Sequence, residues 1–298
     1  MGVPMVANLE RAGFEVQSYD LKGNGNRASV REAVRGVEAL ITMLPDGDAV
    51  RDAVLSAMPH LAAGSVVVDM SSSDPVGTRA LGVVLDSKGI AFVDAPVSGA
   101  VVGARDATLA IMAGGDDAAF HKVRPLFEAM GKSIFHVGPL GAGHAVKALN
   151  NYLGAAGTLA SFEALIIARQ FDLDPVPMFE AINASTGKNY STERKIPKQI
   201  LTNAFASGFK MALMTKDVGI AARLASDLKL DTPILRETLR MFRLAQQQLA
   251  KDADHTEIYK VQEALARRRS AGARKTPSPS RGAASRRPKK RPKRRRST

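Results

Sequence analysis

A doubly wound α/β domain, joined to an all-helical domain and followed by a disordered basic tail, is the fold class that three features of the 298-residue sequence predict. Through residue 137, short apolar runs alternate with helical stretches of about 10–15 residues, the pattern of a mostly parallel sheet covered on both faces. Beyond residue 138 the periodicity is helical alone. From residue 267 onward Ser, Pro, Gly and Arg dominate, and such a stretch buries too little apolar surface to offset its ordering entropy. The expected units are therefore residues 1–138, 139–262 and 267–298.

Taking the elements in order, a short amphipathic helix over 3–12 is stopped by Gly13, and a strand over 14–19 ends in Asp20. Ser29 caps a helix running to Arg35, and residues 39–44 read as a buried strand closed by Pro45. A helix over 46–58, the strand SVVVD at 65–69 and a helix over 75–87 with Pro at its first turn follow. Strands at 90–94 and 109–113, a helix over 117–130 and a last strand at 133–137 complete the first unit. Residues 143–170 hold roughly 28 residues without Pro, a rod of about 42 Å linking the two domains. Further helices are expected at 176–184, near 196–201, at 211–228 and at 233–250.

Composition narrows the function. With no Cys there is no disulfide framework, thiolate metal site or cysteine nucleophile, and the five His lack zinc-ligand spacing, so no metal is expected. No apolar run approaches the ~18 residues that span a bilayer, and no signal-peptide pattern opens the chain. A soluble, cytoplasmic protein without a membrane partner is the expectation. The net charge of +13 is unevenly placed: residues 267–298 hold 15 of the 42 Lys and Arg and no acid, leaving 27 basic against 29 acidic residues in the body. Such a tail binds polyanions by charge alone, with a steep salt dependence, unless it is a non-native extension.

In an open parallel sheet, ligands sit beyond the carboxyl ends of the strands. The strand ends here are Asp20, Met43-Leu44-Pro45, Asp69-Met70-Ser71-Ser72 and Asp94 to Gly99. Asp20 is placed to accept hydrogen bonds from the ribose hydroxyls of an adenine nucleotide and to repel a 2′-phosphate. Lys147 and Asn151, four residues apart, share one helix face near its start. A lysine whose pKa is lowered serves as proton donor and acceptor, and an Asn one turn on orients substrate without adding charge.

GAGHAVKALNN at 141–151, DAPVSGA at 94–100 and MTKD at 214–217 together closely resemble the β-hydroxyacid dehydrogenase family. Its members include 3-hydroxyisobutyrate dehydrogenase, 2-hydroxy-3-oxopropionate reductase, L-threonate dehydrogenase and, more distantly, 6-phosphogluconate dehydrogenase. The resemblance runs from Met1 to about Lys260. It implies a Rossmann-type NAD domain and an oxidoreductase passing hydride between NAD and a small 3-hydroxy acid. It implies Lys147 as general acid/base with Asn151 as its partner, and Ser98 and Gly99 holding the substrate carboxylate. It further implies Lys216 and Asp217 closing the site from the helical domain, Gly2, Met43, Leu44, Pro45 and Ser72 at the dinucleotide, and a homodimer or homotetramer. Asp20 favours NAD, while Lys22 and Arg27 keep NADP open; the loop at Val101 and Val102 and residues 186–192 shape the pocket that selects the acid.

Departures from the family pattern are Ala100 for the second Gly of SGG, Ala107 for Gly, and Ser72 for Thr, all small replacements. The family opens with a strand and a G-x-G-x-M-G loop, of which Met1-Gly2-Val3-Pro4-Met5 matches only the end. The first central strand and two glycines lack a counterpart, which leads to the expectation of a longer natural chain. The rival reading is a catalytically inactive nucleotide or nucleic-acid binding protein using the same scaffold and the basic tail.

Overall fold

A computed structural model describes residues 1–273. These contain one six-stranded sheet of β1 (Ala39–Thr42), β2 (Val66–Asp69), β3 (Ala91–Asp94), β4 (Val97–Ser98), β5 (Leu109–Gly114) and β6 (Gly131–Gly138). β1, β2 and β3 pair in parallel, as do β5 and β6, whereas β5 runs antiparallel to β3 and β4. Helices cover both faces. Val66 and Val68 point into a cluster with Met5, Leu9, Phe120 and Phe127, contributed by α1 (Gly2–Arg11) and α6 (Asp117–Met130). Val67 points the other way, against Val50, Val54, Leu81 and Leu85 of α3 (Gly47–Ala57) and α4 (Pro75–Asp86). The continuous apolar strand VVVD is thus buried on both sides, as a parallel sheet requires. Ser29, Asp46 and Asp116 cap α2 (Val30–Ala33), α3 and α6 through their side chains.

Residues 14–19 depart from expectation. They form no ladder, because a strand is defined by its neighbour and, among the described residues, none lies beside them. Asn26 substitutes in part: its amide donates to the Val16 carbonyl at 3.0 Å and its oxygen accepts from the Ser18 amide at 2.8 Å. β1 likewise pairs only with β2 among the described residues.

After β6 the chain is helical. α7 (Ala142–Gln170) packs against β5 at its start and against α9 (Met211–Asp227), α10 (Pro233–Gln248) and α11 (Ile258–Ala273) along its length. Phe162, Leu165, Val218, Phe242 and Ile258, each fully buried, centre this core. By length and composition alone α7 is apolar enough to cross a membrane, contrary to the expectation that no apolar run approaches that length; in this fold it is the central helix of the helical part. The short elements β4 and α5 (Ala100–Arg105) were not expected, and the helix expected near 196–201 starts earlier, as a π-helical run over Ser191–Ile200 that follows α8 (Pro175–Asn183). α11 also continues to Ala273, into the stretch expected as tail; the rest of that expectation lies outside the described residues.

Candidate active site

The site is built on the start of α7. The Asp94 carboxylate accepts from the Gly141 and His144 amides, both at 2.7 Å, and so anchors the first turn to the end of β3. Gly143 lies where a Cβ would strike the carbonyls of Met112 and Asp94. His144, fully buried, places Nδ1 2.8 Å from the Thr78 hydroxyl and Nε2 3.5 Å from Asp69. Burial pushes the Asp94 carboxyl up, opposed by His144 and the backbone donors. Asp69 and Asp94 therefore serve a different purpose from the one their strand-end position suggested. Both are fully buried and lock helix to sheet, leaving the cleft to their neighbours.

One turn beyond this anchor Lys147 faces a cleft of about 2560 Å³. Burial lowers the Lys147 pKa; the Asp217 charge opposes this and Lys216 adds to it. Asn151 donates to Asp217 Oδ2 at 2.6 Å, joining α7 to α9 directly across the site. Lys216, on the same turn of α9, reaches the sheet: Nζ donates to the carbonyls of Pro45 at 3.0 Å and Ser72 at 2.9 Å and lies 3.2 Å from Asp217 Oδ1. One lysine thereby clasps the helical part to two loops at the strand ends.

The other residues singled out from the sequence line the same cleft: Gly2, Asp20, Met43, Leu44, Pro45, Ser72, Ser98 and Gly99. The Leu44 amide donates to Ser71 Oγ at 2.9 Å, which fixes the turn after β1. Gly99, at φ +134°, precedes α5 in a conformation that excludes side chains, and Ala100 and Ala107 follow at φ +56° and +52°. Asp20 Oδ1 accepts from the Lys22 amide at 2.7 Å, closing a turn while its carboxylate borders the cleft. Lys195 carries no sequence signal, since it sits among ordinary charged residues, yet it is buried on the cleft wall.

A dinucleotide fits this arrangement. The N-terminus of α1 opens onto the cleft without a side-chain cap, and a Cβ at Gly2 would meet nothing within 4 Å. Unsatisfied amides at a helix start attract phosphate oxygens. Asp20 and the Met43 to Pro45 turn border the same space.

A doubly wound sheet, a helical partner and a partly buried lysine with a lowered pKa in the cleft between them define the class of two-lobed nicotinamide-dependent dehydrogenases. Residues 1–138 match the family model for the NAD binding domain of 6-phosphogluconate dehydrogenase, and residues 141–262 that for the NAD-binding region of NADP-dependent 3-hydroxyisobutyrate dehydrogenase. The NAD-dependent L-serine dehydrogenase of Pseudomonas aeruginosa is 35% identical, over 88% of this chain and 94% of that protein. The 2-(hydroxymethyl)glutarate dehydrogenase of Eubacterium barkeri is 37% identical, over 81% and 85%. The solved structure of Mycobacterium tuberculosis 3-hydroxyisobutyrate dehydrogenase with L-serine superposes with a TM-score of 0.83 at 31% identity, over 88% of this chain and 95% of that one. The chain belongs to the β-hydroxyacid dehydrogenase family and is an NAD-binding oxidoreductase.

Proposed function

We propose that the protein interconverts a small 3-hydroxy acid and its semialdehyde, with Lys147 as the general acid/base and Asn151 positioning the substrate. The observation that carries this reading is the lowered pKa of Lys147, held between Asp217 and Lys216 at the wall of the cleft. In the oxidation direction the neutral amine of Lys147 takes the hydroxyl proton as the carbinol C–H leaves as hydride, giving the semialdehyde, reduced cofactor and a protonated lysine. NAD supplies the electrophilic ring carbon that accepts the hydride. Ser98 and the amides around Gly99 bind the substrate carboxylate, an anion suited to adjacent backbone donors and a hydroxyl. Lys216 holds the lobes together by its bonds to Pro45 and Ser72, so that the reacting groups meet in a site shielded from water.

Asp20, at the cleft edge, supports NAD over NADP, since its carboxylate repels a 2′-phosphate. A homo-oligomer is supported by the exposed apolar residues Leu149, Leu153 and Ile167 of α7 and Phe171 just beyond its end. A cytoplasmic location fits the family reading. The inactive, nucleic-acid binding alternative draws nothing from the site, whose buried lysine, amide and carboxylate a non-enzyme does not need.

Lys147→Ala, assayed against a panel of 3-hydroxy acids with NAD, is expected to lose turnover by about 10³-fold or more. Its NAD affinity, followed by fluorescence titration, is expected to stay within about twofold. Undiminished turnover would refute the assignment.

A further inference from the structure

The face of α7 that presents Lys147 and Asn151 continues through Gly154 to Thr158, at spacings of four, three and four residues. Gly154 borders the cleft, and a side chain there would meet nothing within 4 Å, so the floor beyond Asn151 is open. At the far end of this floor lies Lys195, carried by the π-helical run and only 8% exposed, yet lining the cleft. Its Nζ donates to Thr158 Oγ1 at 2.7 Å and stands 5.9 Å from the centre of the Tyr190 ring. Ser191 Oγ lies 2.9 Å from the same threonine oxygen.

An ammonium has three donors. Thr158 takes one, and among the described residues no carboxylate comes within 4.0 Å of Lys195 Nζ. Asp254 is the acid that acts on it from a distance, but its oxygens already accept from Ser207, Thr256 and Gly208. His255, beside it, is held to about 4 by burial and by Lys195 itself and is neutral near pH 7; its Nε2 is buried without a partner. Arg194 and Lys198, exposed on the same π-helical run, also border the cleft and add positive potential. Burial lowers Lys195 to about 8, which leaves it charged near pH 7 with donors that no described carboxylate takes. One buried positive charge matches a single negative one, which favours a carboxylate.

We propose that Lys195, held in place by Thr158, forms a second anion subsite, so that the substrate is a hydroxy acid bearing a further carboxylate distal to its hydroxyl. This rests on the dehydrogenase reading of the cleft and names the substrate class for it. Lys195 selects the substrate and takes no part in the proton or hydride transfer.

The test compares two acids that differ in the distal group: 3-hydroxyisobutyrate and 2-(hydroxymethyl)glutarate. With the full chain and NAD, the diacid is expected to have kcat/KM at least tenfold higher. Lys195→Met is expected to remove that advantage chiefly through KM, leaving kcat/KM for the monoacid within about twofold. The ratio between two substrates on one protein cancels any loss of folded enzyme. Equal use of the two acids by the wild type, or an equal loss on both in the variant, overturns the proposal. Binding of each acid is also measured by calorimetry in wild type and Lys195→Met. If neither acid nor any other member of the 3-hydroxy acid panel is oxidised, the proposed reaction fails by itself. Preferential binding of the diacid, abolished in Lys195→Met, then still supports the subsite, and absent or unselective binding overturns it.

Discussion

Lys147 differs from an ordinary surface lysine only in what surrounds it: a partly desolvated position, Lys216 one way and Asp217 the other. Burial and the neighbouring cation favour the neutral amine, so the ascending limb of kcat/KM for oxidation belongs below the usual lysine range of ~10.4. Asp217 favours the ammonium. Asp217→Asn therefore moves that limb to lower pH, measured by steady-state rates across pH 6–11; a shift upward, or none, contradicts the assigned electrostatics. Ala100 and Ala107 show a different residue-scale effect. Both adopt left-handed backbone where the family pattern has glycine, at about 1–2 kcal/mol of strain each. Part of the relief is offset by the greater freedom of glycine in the unfolded chain. Ala100→Gly and Ala107→Gly should each raise stability by up to about 1 kcal/mol in urea denaturation, whereas no change or a loss would show the strain is relieved elsewhere.

At the scale of elements, the start of α7 is fixed by contact with the sheet. Asp94 bonds two of its amides, and Gly143 permits an approach to Met112 and Asp94 that no larger residue allows. Gly143→Ala should destabilise by about 1–3 kcal/mol through overpacking and lower turnover by displacing Lys147, read by thermal unfolding and rates together. Wild-type behaviour in both would show that α7 is held some other way. Much of this architecture was legible in the sequence. The run VVVD, the caps at Ser29, Asp46 and Asp116, and the stop at Gly13 are local signals that tertiary structure did not override. Residues 14–19 were misread because strand propensity says nothing of a partner. A helix near 196–201 was legible, but its earlier start and its π winding were not, since no residue pattern distinguishes i→i+5 winding, and Lys195 lies in the part that was missed.

At the scale of the whole molecule, the proposed reaction requires the two halves to meet. Lys216 crosses from α9 to Pro45 and Ser72 in the other half, while the Asn151–Asp217 bond ties α7 to α9 within the helical half and so steadies the helix that Lys216 reaches from. The motifs at 94–100, 141–151 and 214–217 are far apart in the chain, and their convergence on one cleft was legible only through family resemblance. The anchoring role of Asp94 and His144 was not legible, because a buried acid at a strand end looks like a ligand-facing residue until its partners are seen. The proposed reaction turns on a free amine at Lys147 exchanging a proton with the substrate hydroxyl. Chemical rescue of Lys147→Ala by primary amines of graded basicity tests that most directly. Added amines are expected to restore turnover, with rates that rise with amine basicity once corrected for size. Turnover in Lys147→Ala equal to wild type, or a rescue indifferent to amine pKa, would contradict the proposed reaction.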